Sequence, residues 1–220
     1  MIQGRFFPRS RVLTATAVGS SKALLFSVLA AYTLLSPISA YGETTTPTPD
    51  VPPASLCAVK APSFDELNAI VAIPLAEATA LVTRTPGVVP EGTPANAETA
   101  AEITATIREL VGCFNAGEPL RPFGLYTAPY LNQLFNRQGG FSRAVYDSFA
   151  TPEPTDDPST RTEILEITDI RILGEGIAGA NVTMRYSSIP MPKHFFFSFE
   201  WDGNRWLISG ILGEISFSVP

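Results

Sequence analysis

The stretch "AGANVTMRY" (Ala178–Tyr186) is the clearest evidence for the fold class, because apolar or aromatic residues alternate in it with small or polar ones at a period of two. The residues of one parity are apolar or aromatic: Ala178, Ala180, Val182, Met184 and Tyr186. Successive side chains of a strand point to opposite faces of a sheet. The alternation therefore predicts a β-strand that buries one face in a core.

The sequence before this strand is also rich in β-forming residues. In "EILEITDIRIL" (Glu163–Leu173) the apolar residues change parity part-way along. One extra residue in a strand shifts the parity and bends the chain, so we expect a β-bulge near Thr168–Asp169.

The sequence after the strand is aromatic and predicts a hairpin with a turn at Asp-Gly. An Asp202–Gly203 turn is favoured, and it places Phe199 opposite Trp206. A Gly203–Asn204 turn would instead place Trp201 opposite Trp206, and the sequence leaves this register open.

Helical periodicity occupies the chain before the strands. Ser63 and Glu66 form an S-x-x-E capping box, which predicts the start of a helix. Pro74 predicts its end or a kink, and "PLAEATALVTR" could restart it. Apolar residues at helical spacing predict a long helix over Ala97–Phe114, with Gly117 as the residue that terminates it.

Two further helical segments follow, over Leu120–Arg137, with an interruption at Pro129, and over Ser142–Phe149. Helices followed by an antiparallel meander predict an α+β fold. We expect N-terminal helices packed on one face of a strongly curved antiparallel sheet.

Residues 1–40 have the pattern of a secretory signal, with basic residues before an apolar run, "ALLFSVLAAYTLL" (Ala23–Leu35). The run is shorter than the ~20 residues of a membrane span, which favours cleavage after Ala40. An uncleaved signal anchor is the alternative, and it would be the chain's only membrane contact. Both interpretations place residues 41–220 outside the cytoplasm, in the cell envelope or beyond it.

The rest of the chain divides into three parts. Residues 41–56 are rich in Thr and Pro and predict a disordered or extended linker. Residues 57–94 form a helical N-terminal extension, and residues 95–220 form the main domain.

The chain has two cysteines, Cys57 and Cys113. In an oxidising compartment such a pair predicts one disulfide. Two buried thiols are the alternative if the export prediction is wrong.

Composition excludes several classes of function. The net charge of −6 argues against a nucleic-acid partner, whose phosphates attract a basic surface. A single histidine and the lack of a C-x-x-C motif argue against a metal site. The sequence has no P-loop and no dinucleotide fingerprint, so we expect no cofactor.

Three features together resemble the nuclear transport factor 2-like superfamily, which includes SnoaL-like and ketosteroid isomerase-like proteins. They are a long helix that closes on "FNAGEP" (Phe114–Pro119), the following "LYT" (Leu125–Thr127) and "EWDGNRWLIS" (Glu200–Ser209). "LGEGIAGANVTMRY" (Leu173–Tyr186) is similar to the family's central hairpin. The resemblance covers about residues 95–215 and is strongest to exported bacterial members with an extra capped helix.

The resemblance implies a cone, in which a bent sheet wraps against helices and leaves a pocket at the open end. Some members bind or transform small hydrophobic molecules there, and many dimerise through the sheet. A small hydrophobic ligand and a homodimer are therefore expectations for this chain. The side chains expected to line the pocket are Tyr126, Tyr130, Met184, Tyr186, Phe197 and Trp206, and ordinary core packing is the alternative for each.

Many members carry acids after the "LYT" stretch, where this chain has Ala128 and Pro129, and no acid occurs between Glu118 and Asp147. A ketosteroid isomerase-like mechanism needs a carboxylate base in the pocket. The departure favours a module without catalysis that binds a small apolar ligand or a protein partner at the cell envelope.

Three residues remain as catalytic candidates: Asp147, His194 and Tyr126. The lone histidine reads more simply as a surface residue. The alternative functions are therefore an isomerase, cyclase or hydrolase acting on a small hydrophobic substrate, and a purely structural dimerisation module.

Overall fold

The computed structural model describes residues 48–74, 90–137, 140–153, 157–187 and 189–213. The predicted signal and most of the predicted helix restart after Pro74 lie outside the described residues.

The described residues form four α-helices: α1 (Phe64–Val71), α2 (Ala97–Asn115), α3 (Ala128–Arg137) and α4 (Arg143–Phe149). The predicted capping box of α1 is confirmed, since Ser63 and Glu66 each accept from the other's backbone amide. Gly117 has a φ of 64° and terminates α2 as predicted. The next segment is divided into two pieces as predicted, but the break lies at Tyr126 and Thr127 and not at Pro129. Pro129 lies in the first turn of α3, where its missing amide costs nothing.

Within the described ranges, five strands form one antiparallel sheet in sequential order, and the helix α2 packs on it. They are β1 (Thr93–Pro94), β2 (Glu163–Gly174), β3 (Ile177–Tyr186), β4 (Ile189–Trp201) and β5 (Trp206–Leu212). The inner face of β3 is the predicted one, with Ala178, Ala180, Val182 and Met184 fully buried. The core joins this face to the apolar side of α2 and to Phe195, Phe197 and Phe199 of β4.

The α+β class is confirmed, but two details of the predicted architecture are wrong. The helices are spread over residues 64–149, with β1 between α1 and α2, and do not form an N-terminal block. The sheet is also not strongly curved. The pairing of β3 with β4 is regular from Ile177 to Met184, so this pair of strands has no bulge at which to bend, although the β2–β3 and β4–β5 pairings do shift register.

The favoured register of the last hairpin is wrong, and the alternative register is observed. Trp201, not Phe199, lies opposite Trp206. The side-chain oxygen of Asp202 accepts hydrogen bonds from the amides of Asn204 and Arg205, both at 2.8 Å. Gly203, with a φ of 98°, takes the first central position of the turn, where the positive φ favours glycine.

The predicted bulge in β2 is confirmed. The pairing with β3 shifts between Thr168 and Arg171, and Asp169 has a φ of 55°. The Asp169 carboxylate forms an ion pair with Arg171 and accepts a hydrogen bond from Asn181 across the strands.

The segment before α1 is attached to the domain by the predicted disulfide between Cys57 and Cys113. Two glycines let this segment lie close to the helices. A β-carbon at Gly112 would come within 3.0 Å of the Leu56 side chain, and one at Gly124 within 2.5 Å of the Lys60 carbonyl oxygen. Residues 48–56 of the predicted linker are described, and within them Asp50 pairs with Ile164 of β2 through two 2.8 Å backbone hydrogen bonds.

Candidate functional site

An apolar cavity of about 210 Å³ lies between the end of α2, the following 3₁₀ turn and helices α3 and α4. Its walls are aromatic, aliphatic and proline side chains. The residues that line it are Phe114, Pro119, Pro122, Phe123, Tyr126, Leu134, Phe135 and Phe149.

A second cavity of about 220 Å³ lies against the inner face of the sheet. The residues that line it are Leu110, Phe114, Tyr126, Thr162, Met184, Tyr186, Phe197 and Ile211. Phe114 and Tyr126 line both cavities, so the two spaces are neighbours that these two rings divide.

Local structure explains why these two rings lie between the cavities. Phe114 is in the last turn of α2, immediately before the chain leaves the helix through Gly117. Tyr126 follows a 3₁₀ helix (Arg121–Leu125) with an extended backbone, and it forms a parallel bridge to Ile208 of β5. The Thr127 amide donates to the Ile208 carbonyl at 3.0 Å, which holds Tyr126 against the sheet.

Three tyrosines lie near the boundary between the two cavities. The rings of Tyr126 and Tyr130 meet edge to face with centroids 5.3 Å apart. Burial raises the pKa of Tyr126 well above its usual value, and the nearby Tyr130 and Tyr186 raise it further. Burial raises the pKa of Tyr130 and that of Tyr186 to about 12. All three phenols are therefore neutral at ordinary pH and can donate a hydrogen bond to an uncharged acceptor.

The cavities suit a small, mainly apolar molecule. Each is smaller than the ~300–1,000 Å³ typical of drug-sized ligands, but larger than the ~150 Å³ apolar cavity that accommodates benzene. Apart from the tyrosine hydroxyl groups, Thr162 is the one polar side chain among the lining residues. Among the described residues of the two walls there is no carboxylate, histidine or lysine, so these residues offer no ordinary general acid or base.

Four of the six predicted ligand-contacting residues come together in the second cavity: Tyr126, Met184, Tyr186 and Phe197. Tyr130 contacts Tyr126 by its ring edge. Trp206 lies elsewhere, because its indole turns toward α2 and donates from Nε1 to Glu102 at 3.1 Å.

The three catalytic candidates are not brought together. His194 is exposed on the outer face of the sheet, where Nδ1 lies 2.9 Å from the Thr183 hydroxyl. Asp147 is exposed on α4, and Tyr126 is buried in the core. Because Tyr126 is buried while His194 and Asp147 lie on the surface, the three side chains do not form a site for proton transfer.

The first cavity involves residues that the sequence analysis did not select, above all Phe123, Phe135 and Phe149. Their rings form a cluster with centroids 5.0–6.4 Å apart. The sequence does contain a signal for this aromatic cluster. No acid occurs between Glu118 and Asp147, and this stretch contains several aromatic residues. Such a segment is typical of a buried apolar wall.

The described residues contain no group of three or more His, Cys, Asp or Glu side chains that could hold a metal ion. Within the same ranges, none of the helices combines the length and apolar character that crossing a membrane requires. Comparisons with protein-family models, with curated proteins and with solved structures found no match for this chain.

Proposed function

We propose that this chain is an exported, nuclear transport factor 2-like domain that binds a small apolar ligand without transforming it. The single observation that carries the binding role is the pair of apolar cavities that share Phe114 and Tyr126. A ligand that displaces either ring would join the two spaces into one of the usual ligand size.

The family assignment is supported by the order of elements. A capped helix comes first, α2 then closes on "FNAGEP", and the last three strands form a meander. Export is supported by the Cys57–Cys113 disulfide, which is typical of an oxidising compartment. The proposal of a role without catalysis is supported by the described wall residues, none of which is a carboxylate or a histidine.

The ligand is expected to have an apolar body with one uncharged oxygen. The apolar body would occupy the space beside Met184 and Phe197. The oxygen would accept a hydrogen bond from a tyrosine hydroxyl group at the boundary between the two cavities. A carboxylate ligand is disfavoured, because the described wall residues supply no cation to pair with it.

A test can use the methionines, of which the chain has three. Met184 is fully buried and lines the second cavity, whereas Met191 is 72% exposed. We would label the methionine methyl groups with ¹³C and titrate the full-length chain with para-cresol. The expected result is a saturable shift of the Met184 signal, while Met191 remains unchanged.

A filling substitution checks that the ligand occupies the cavity. Ile211→Phe adds volume at the wall of the second cavity and should weaken para-cresol binding at least about tenfold. Ile73→Phe makes the same change at an exposed position and should leave binding unchanged. No shift at Met184, or equal affinity for the wild type and Ile211→Phe, would contradict the proposal.

A further inference from the structure

A separate open cleft of about 450 Å³ lies where the first turns of α2 meet the tips of the two β-hairpins. Residues from α2, from the β2–β3 turn and from the β4–β5 hairpin line it. They are Glu98, Thr99, Glu102, Ile172, Gly174, Glu175, Gly176, Trp201 and Trp206. None of these residues lines the cavities around Tyr126.

Two indole rings form one side of this cleft. Trp201 and Trp206 lie opposite each other on β4 and β5, with ring centroids 5.5 Å apart and planes inclined at 58°. Trp206 is only 7% exposed, whereas Trp201 is 39% exposed. The inclined rings therefore make a corner with one buried wall and one wall open to solvent.

One hydrogen bond fixes the backbone of Trp201 and another fixes the indole of Trp206 before any ligand arrives. The Trp201 amide donates to the Gly176 carbonyl at 2.9 Å, which joins the tips of the two hairpins. The Trp206 indole donates to Glu102 at 3.1 Å, which connects β5 to α2. A preorganised aromatic corner loses little entropy when it binds.

The charged side chains among the described residues that line the cleft are all acidic. Glu98 and Glu102 are four residues apart on α2, where like charges repel, and Glu175 lies across the cleft in the β2–β3 turn. Within the described ranges, none of these three carboxylates forms an ion pair with a basic side chain. Arg205, next to Trp206 in the chain, is engaged by Glu109 at 2.6 Å.

We propose that this cleft binds a small alkylated ammonium cation of the choline type. The faces of indole rings attract such cations more strongly than those of the other aromatic side chains do, and quaternary ammonium groups are characteristic ligands of aromatic corners. The three carboxylates add attraction and exclude anions. They also oppose phosphocholine, whose phosphate lies close to its cation, so the free cation is favoured over a lipid headgroup.

The test uses the intrinsic fluorescence of the full-length chain. The chain has two tryptophans, and both line this cleft, so their emission reports on this site alone. Choline is the probe, and 3,3-dimethylbutan-1-ol, which has carbon in place of the charged nitrogen, is its neutral control. We expect saturable binding of choline in the millimolar range, with the neutral analogue at least about tenfold weaker.

Variants separate recognition from folding. Trp201→Ala should weaken choline binding about tenfold or more, whereas Trp201→Phe should retain part of the affinity because a ring remains. Glu175→Gln should weaken it about threefold while leaving the fold unchanged, because the residue is exposed in a turn. Thermal unfolding of each variant confirms that it is folded, and saturation-transfer NMR on the choline methyl groups gives a readout independent of fluorescence.

The outcomes are decisive. Choline binding that depends on Trp201 and on the charge supports the proposal, and phosphocholine or phosphatidylcholine vesicles should then bind more weakly than free choline. If vesicles bind more tightly than free choline, the assignment to a free cation is overturned in favour of a headgroup. No saturable binding, or equal affinity for choline and its neutral analogue, overturns the cation site altogether.

Discussion

The two ends of α2 are anchored in different ways. At its C-terminal end Cys113 forms the disulfide with Cys57, and the buried side chain of Asn115 makes three hydrogen bonds to Pro52 and Thr162. At its N-terminal end an exposed Asn96 caps the helix with one bond to the Thr99 amide.

The difference assigns a distinct role to each end. The two apolar cavities lie at the strongly anchored end, where Phe114 lines both of them. The cleft lined by Trp201 and Trp206 lies at the exposed end, where its carboxylates are open to solvent. We therefore expect stability to depend on one end and surface recognition on the other.

The largest expected effect comes from removing the disulfide. Without it, the C-terminal end of α2 would be less strongly anchored and would differ less from the N-terminal end. The double variant Cys57→Ala/Cys113→Ala frees a link between residues 56 positions apart. Chain entropy predicts a loss of about 4 kcal/mol in the free energy of unfolding. Guanidinium unfolding measures it, and a reducing agent should destabilise the wild type but not the variant. A loss below about 1 kcal/mol would show that other contacts hold this end.

Asn115→Ala should have the next largest effect. It leaves the buried amide and carbonyl of Thr162 and the carbonyl of Pro52 without partners. The free energy of unfolding should fall by about 3 kcal/mol. Urea unfolding measures the change, and unaltered stability would mean that water reaches these groups.

Asn96→Ala is the matched substitution at the other end of the same helix. It removes one exposed cap, so the expected loss is about 1 kcal/mol. The same urea experiment compares the two variants directly. Equal losses for Asn96→Ala and Asn115→Ala would remove the distinction between the ends.

Glu98→Gln should have the smallest effect. Its carboxylate is favourable near the positive end of the helix, but it is repelled by Glu102 one turn later. These effects oppose each other, so the free energy of unfolding should change by less than about 0.5 kcal/mol. Thermal unfolding measures it. A larger loss would indicate that Glu98 has a structural partner in the cleft.

Much of the fold could be predicted because its signals are local. Ser63 and Glu66, three residues apart, mark the start of α1, and Gly117 marks the end of α2. The parity change in "EILEITDIRIL" located the bulge at Asp169. The cavity residues were harder to predict. Trp206 was expected to line the same pocket as Tyr126 and Met184, but it lines the separate cleft beside Trp201.

Local sequence patterns were enough to predict the main helices and strands, the α+β class and the disulfide partners. Helix caps and strand alternation act over a few residues, and two cysteines allow one pairing within the chain. The pairing of Trp201 with Trp206, the weak curvature of the sheet and the position of each cavity became known only from the folded structure. These features depend on contacts between residues distant in the chain, such as Trp206 with Glu102 and Tyr126 with Ile208, and local patterns do not encode such contacts.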